Sequence, residues 1–544
     1  MSIEKRKKIG FFFALMMLIG SVVGIGIFFK NFSVSKATGG DGWSWLVAWV
    51  LGGLISLATA ISFAECSRFK KTRLSGLSSW AYKVGGTKFG YGVSLTYSFF
   101  YFGILFISIG VFVSEIFYFF LGQVGALDFE KVPLYVIVLT GILFGLLFLI
   151  LNDISLKASG IIQSIITFIK FIPLLVAIVA GIVMFKTNNI DGSFNAFTSG
   201  KTFFSIKGII IALPSILFAY DAFLIAGSIG NKIKNARKNL FWIILLGMSS
   251  VVILYSLFAI SSILHNQGFV WGLLQATLST NVQKNIVAGT TFFILVSSYG
   301  VLNGISLGFK NEISNLISTN GIFASKTLKS KIGTRKTEWI YIIVTMTIWS
   351  VVLFVPSLIL NHDKLIDGMS NFPTIFFFVV YALVIFLYTI KRHKLSETGK
   401  INNILFYCFA AIAILGIVIV EFSYIVAMFT DLFNLKFVSS WGVFKDGGKE
   451  ATIARYIPLV LYIIFYSTLV TIPFLNYFLE KVFFKRNIIQ EFALTVEDVK
   501  ENNESKNEVI NLNNKEEILK EKENNFYKVE ADFLKNKLKK NNEK

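Results

Sequence analysis

Apolar residues along this chain gather in long runs separated by short polar stretches, and the runs share one length class. A helix rises about 1.5 Å per residue, so about 20 apolar residues cross a hydrocarbon core roughly 30 Å thick. Twelve runs reach that length. The first six are Ile9 to Phe29, Trp43 to Ala64, Phe89 to Leu121, Val132 to Leu151, Ser159 to Phe185 and Gly208 to Gly230. The other six are Leu240 to Leu264, Ile286 to Phe309, Trp339 to Leu360, Pro373 to Ile390, Ile404 to Phe429 and Ile457 to Leu479. The pattern predicts an all-α polytopic membrane protein with twelve transmembrane helices. Lys5, Arg6, Lys7 and Lys8 precede the first run as they would a signal peptide, but its length and the lack of a small-residue cleavage site make it a retained helix.

Composition narrows the class. The 544 residues are 54% hydrophobic and 15% charged, with 57 Phe and a mean hydropathy of +0.67, which excludes soluble enzymes, disordered scaffolds and secreted domains. Two cysteines, Cys66 and Cys408, are too few for a disulfide framework or a cysteine-built metal site, and no cofactor is expected. A formal charge of +20 would suggest nucleic acid in a soluble protein, but here it reads as topology, with no nucleic acid partner. An amino terminus in the cytoplasm puts 25 Lys and Arg in cytoplasmic segments before residue 481 and 12 in outer ones. That asymmetry fits a plasma-membrane protein with both termini inside. Arg68, Lys70, Lys71 and Arg73, and then Lys232, Lys234, Arg237 and Lys238, read as topology signals that contact lipid headgroups. From Lys481 onward Lys, Glu and Asn dominate, giving a solvated tail in which Leu519, Phe526, Val529, Phe533 and Leu534 could line one side of a short amphipathic helix.

Two runs carry residues that a plain span avoids. The first contains Gly20-Ser21-Val22-Val23-Gly24-Ile25-Gly26-Ile27-Phe28. Gly20 and Gly24 suit a close helix crossing, while the cluster equally suits an unwound segment whose amides face a carboxylate. The sixth contains Leu213-Pro214 and then Phe218-Ala219-Tyr220-Asp221-Ala222-Phe223. Proline removes a helix hydrogen bond, and a carboxylate in lipid needs a polar cavity or a structural partner.

These residues resemble the amino acid/polyamine/organocation permeases, the APC superfamily. The resemblance rests on Gly24-Ile25-Gly26-Ile27-Phe28, on Ala64-Glu65 with Ser75-Gly76, Trp80-Ala81-Tyr82 and Gly85-Gly86, and on Phe218 to Phe223 with Lys234-Asn235-Ala236-Arg237-Lys238-Asn239. It covers about residues 5 to 480 and implies a five-plus-five inverted repeat with discontinuous helices 1 and 6, plus two extra helices. The expected partition is a cytoplasmic amino terminus 1–8, a first repeat 9–185, a second repeat 186–390, helices 11 and 12 in 391–480, and a cytoplasmic charged tail 481–544. The resemblance further implies that amides around Gly24, Ile25 and Gly26, beside Ser21, hold a substrate carboxylate. Carbonyls near Phe218, Ala219, Tyr220 and Asp221 would take its ammonium group, and Phe218 would be a gate. Ile25 departs from the common Ser or Thr, which removes a hydroxyl contact.

Lys170 lies in Thr167-Phe168-Ile169-Lys170-Phe171-Ile172-Pro173, within an otherwise apolar run. Similar permeases carry a lysine near this point, so Lys170 is assigned to proton coupling, the other reading being a purely structural pairing with a carbonyl. Ser297, Ser298, Tyr299 and Asn303 of helix 8 could line the side-chain end of the site or bond between helices. Glu115 and Glu421 read as groups near an interface, and Glu65 as a partner for the basic loop beside it. His265, His362 and His393 fall near loops, and no zinc motif or Walker loop is present, which argues against catalysis and ATP-driven pumping. The resulting expectation is a secondary active transporter that moves an amino acid by alternating access with a proton as coupling ion. The alternatives are an amino acid or polyamine exchanger, or a non-transporting receptor or channel on the same fold.

Overall fold

The computed structural model describes residues 10–66, 69, 72–184, 193–199, 203–221, 224, 233, 235–278, 280–395, 401–435, 437, 439–445 and 452–497. The architecture is all-helical. The first helices are α1 (Phe11–Val22), α2 (Asn31–Ala37), α3 (Gly42–Cys66), α4 (Gly76–Thr96), α5 (Gly103–Gln123) and α6 (Leu134–Ile154). Next come α7 (Leu156–Ile169), α8 (Phe171–Val183), α9 (Ile206–Tyr220), α10 (Ala236–Ile263), α11 (Val270–Thr277), α12 (Thr280–Ser318) and α13 (Ser325–Ile332). The last are α14 (Thr334–Leu360), α15 (Lys364–Ser370), α16 (Phe372–Leu395), α17 (Asn403–Asp431), α18 (Ile457–Phe484) and α19 (Ile488–Glu497).

Among the described residues, ten helical segments are long and apolar enough to cross a membrane, so the chain is a multi-pass membrane protein. Their outer surface is apolar. On α6, for example, Leu139, Leu143, Leu147 and Ile154 are exposed, while Ile137, Val138, Gly141 and Leu149 face the protein. The expected first and sixth spans do not fall among the ten, because each is interrupted. The first stops at Val22, and the sixth is the 15-residue α9.

Other boundaries shift for physical reasons. The expected third span begins at Phe89, but α4 starts at Gly76 and turns at Gly86, whose φ of 79° costs glycine little. Its first turns are buried, with Trp80 stacked on Phe63 and Ser78 bonded to Glu312. The expected tail boundary at 481 is also too early. α18 runs to Phe484, and α19 buries Ile488, Phe492 and Val496 against α4, where Phe492 meets the rings of Tyr82 and Tyr91 edge-on. Leu519 to Leu534 lie outside the described residues.

The elements around the broken segments bring them together. α3 packs on α9, α10 and α17, and α5 packs on α6 and α12. α1 sits against α7, α10 and α12, and the π-helical turn Gly26–Lys30 that follows it touches α9.

Candidate functional site

The break in the first segment falls at Val23, beside two glycines. Val23 is extended, at φ −69° and ψ 114°, and helical turns resume at Ile25. A Cβ on Gly24 would come within 2.1 Å of Val301, and one on Gly26 within 2.5 Å of the Ala219 Cα. Both glycines therefore serve close approach, and Gly26 presses the backbone of the first broken segment onto that of the second. That second segment runs helically through Pro214 and stops at Tyr220, where Asp221 is extended at φ −62° and ψ −175°. Ala222 and Phe223, and the Lys232 and Lys234 that follow, lie outside the described residues.

A hollow opens where the breaks face each other. Val22, Ile25 and Gly26 form one side of it, and Phe218, Ala219 and Asp221 another. Tyr101, Leu105 and Ile109 of the third span, Val301 and Ile305 of α12, and Thr374 of α16 complete the wall. Asp221 is buried and accepts hydrogen bonds from the Tyr101 hydroxyl at 2.7 Å, the Thr374 hydroxyl at 3.1 Å and the Tyr381 hydroxyl at 3.5 Å. No Lys, Arg or His is among the described residues that line it.

The broken ends also need partners for their carbonyls, and two side chains supply them. The Lys170 ammonium, at the junction of α7 and α8, donates to the carbonyls of Gly20 and Val23, the latter at 2.8 Å. The Tyr255 hydroxyl lies 2.9 Å from the Val22 carbonyl and 3.4 Å from that of Ala219, so one group touches both breaks. Sequence reasoning missed Tyr255, which sits in an apolar run with nothing to mark it.

Most of the chain carries a family signature. A model of the family described as amino acid permease matches residues 14–472. The chain belongs to the amino acid permease family. It is 26% identical to the serine/threonine exchanger SteT of Bacillus subtilis, over 75% of this chain and 88% of that protein. It is 25% identical to the b(0,+)-type amino acid transporter 1 of Rattus norvegicus, over 47% of this chain and 51% of that one. The human cystine/glutamate transporter is 23% identical over 56% and 59% of the two chains.

Within this permease, the expected site residues divide. Ile25, Gly26, Phe218, Ala219 and Asp221 line the hollow, whereas Gly24 packs on Val301 just beside it. The side chain of Ser21 lies outside the described residues. Tyr220 turns away from the hollow, its ring against Trp49 and Tyr255. Tyr299 and Asn303 are not among the residues that line the hollow. The Tyr299 ring contacts Phe144 and Phe148, and the Asn303 side chain bonds Asn152, Ser159 and Gln163. Positions 301 and 305 instead turn toward the hollow, because helical spacing puts 299 and 303 on another face. Tyr299→Phe should accordingly leave substrate affinity within about twofold of the parent in equilibrium binding, since both rings fill the same contact.

Charged residues outside the hollow hold its frame. Glu65 takes the Arg392 guanidinium at 2.8 and 3.2 Å and the Tyr388 hydroxyl at 2.7 Å, and of the adjacent loop with which it is expected to pair, Arg68, Lys70 and Lys71 lie outside the described residues. Glu115 is fully buried, with Asp363 and Asp367 beside it. Lys30 falls just past the expected first span. It is buried, 4.6 Å above the Phe218 ring and 2.5 Å from Asp367. Asp367 also accepts from the Gly442 amide, while the Val443, Phe444 and Lys445 amides converge on Asp363.

Proposed function

We propose that this permease is a secondary active transporter that carries an amino acid across the plasma membrane by alternating access, coupled to a proton. The observation that carries this reading is a hollow walled by both interrupted segments. Peptide groups released at a break can hold a zwitterion at the middle of the membrane without a fully charged side chain at each end. Amides near Ile25 and Gly26 would take the carboxylate, the face formed by Ala219 and Asp221 would take the ammonium group, and Phe218 would cover the substrate. The two broken segments with the ten long helices give twelve spans, read as a five-plus-five inverted repeat and two further helices, with both termini in the cytoplasm.

Lys170 is the coupling residue in this reading. As an ammonium ion it satisfies two carbonyls of the break, and losing its proton weakens both bonds, so protonation and the shape of helix 1 are linked. Exchange is the second reading, favoured by the similarity to a serine/threonine exchanger.

Proteoliposomes separate these readings. A coupled transporter should show saturable uptake that rises with an inward proton gradient, and an exchanger should need internal substrate. Lys170→Ala should abolish the response to the gradient while substrate binding stays measurable. An unchanged response would remove Lys170 from the mechanism.

A further inference from the structure

We propose that Glu115 and Asp363 bind one proton between them, in a buried site separate from the hollow and from Lys170, and that this proton clamps residues 442–445 to the protein.

Two carboxyl groups meet here without a donor between them. Glu115, late in α5, is fully buried and lies within hydrogen-bond range of the Asp363 side chain. Among the described residues neither Glu115 oxygen meets an N–H or O–H donor, and Oδ1 of Asp363 meets none either. The other Asp363 oxygen, Oδ2, takes the amides of Val443, Phe444 and Lys445 at 2.9, 3.0 and 3.2 Å. Two carboxylates buried in contact cannot both stay ionised. A single proton resolves the contact, because a carboxylic acid has one O–H to donate and a carboxylate oxygen to receive it. The three amides favour the anion on Asp363, so the proton sits on Glu115 and its O–H donates to Asp363 Oδ1.

The charges around the pair do not stand in for that proton. Asp367, one turn further along α15, adds a third carboxylate and is held by the Lys30 ammonium at 2.5 Å. Lys30 comes from the first broken segment and lies over the Phe112 and Phe218 rings. Lys445 is the cation that acts on Glu115 from the clamped segment itself. Its ammonium donates to the Phe129 and Glu130 carbonyls, each at 2.8 Å, and lies 3.8 Å from the Glu130 carboxylate. His362 and Lys364 flank Asp363 in the chain and are buried, but neither bonds a Glu115 oxygen or Asp363 Oδ1.

Release of the proton to water sets two anions face to face. Glu115 sits in a long helix packed on α6 and α12, whereas Asp363 lies in the turn between α14 and α15, so Asp363 is the group that gives way. With it go the three amide bonds, and the bond that its own amide donates to the Lys445 carbonyl at 2.9 Å. What then still seats the segment is the Gly442 amide on Asp367 and the Phe444 ring against Phe29, Phe119 and Trp271. Those three rings belong to the first broken segment, α5 and α11. The proton therefore decides how firmly one strap ties these elements together, on the face that is outermost in the orientation proposed above.

The test is amide hydrogen exchange, read by mass spectrometry on the purified full-length protein in detergent and corrected for the intrinsic effect of pH on exchange. Between about pH 5 and about pH 9 the amides of residues 443–445 should lose protection by about tenfold or more, a measurement that needs no variant. Glu115→Gln keeps the shape of the side chain and a donor for Asp363, and should hold the same amides protected across that range. Asp363→Asn should expose them at every pH, and its unfolding temperature reports whether it folds. The infrared difference spectrum between the parent and Glu115→Gln should contain the carbonyl band of a protonated carboxyl group. Absence of that band would overturn the proton site. Parental protection that ignores pH, or a pH response that persists in Glu115→Gln, would overturn the clamp.

Discussion

Valine at position 26 is expected to abolish substrate binding, and alanine there to weaken it by about a hundredfold or more, the scale on which a misplacement of about 1 Å is felt. Any Cβ at this point would sit 2.5 Å from the Ala219 Cα and 2.8 Å from its Cβ, so the neighbour that must yield is backbone. Overpacking of this kind costs about 1–3 kcal/mol or more, and the strain falls on the two segments that frame the hollow. Equilibrium binding and thermal unfolding of Gly26→Ala, measured together, separate lost recognition from lost folding. Gly289→Ala is the matched control. Nothing lies within 4 Å of that added methyl, and its helix should gain about 0.5–1 kcal/mol. Parental affinity in Gly26→Val would show that the first break merely packs there.

Removing one member of the Lys30–Asp367 pair should have the next largest effect. The two side chains are 1% and 2% exposed and 2.5 Å apart, and each single replacement leaves a buried charge without its counter-ion. Such losses run to about 3–5 kcal/mol, whereas replacing both with apolar residues of similar volume is often close to neutral. Lys30→Met and Asp367→Asn should each lower the unfolding temperature clearly, and Lys30→Met with Asp367→Leu should recover most of the loss. The coupling energy is read from the double-mutant cycle. Single losses below about 1 kcal/mol would mean that water reaches the pair and screens it.

How much of this was visible in the sequence depended on the range of the interaction. Span positions follow from the length of apolar runs, because lipid obliges each crossing segment to satisfy its backbone internally. The two interruptions were visible as Gly24 and Gly26 and as Asp221 after Pro214, residues that a plain span would avoid. Lys30 was not legible as a buried residue, since its partner lies 337 positions away and no periodicity joins them. Asn303 misled for a related reason. A polar residue in an apolar helix can face either a cavity or another helix, and its partners Asn152, Ser159 and Gln163 are some 140 to 151 positions upstream. Glu65 likewise has a partner, Arg392, far across the fold.

The hydroxyl of Tyr255 has one proton to give and two peptide oxygens, on Val22 and Ala219, within its reach. Pulling those oxygens apart would strand one of them in a dry interior, at a cost comparable to a lost hydrogen bond. Rocking of the two interrupted rods as one rigid unit, with that phenol as their rivet, keeps the oxygens together, whereas independent swinging of either rod does not.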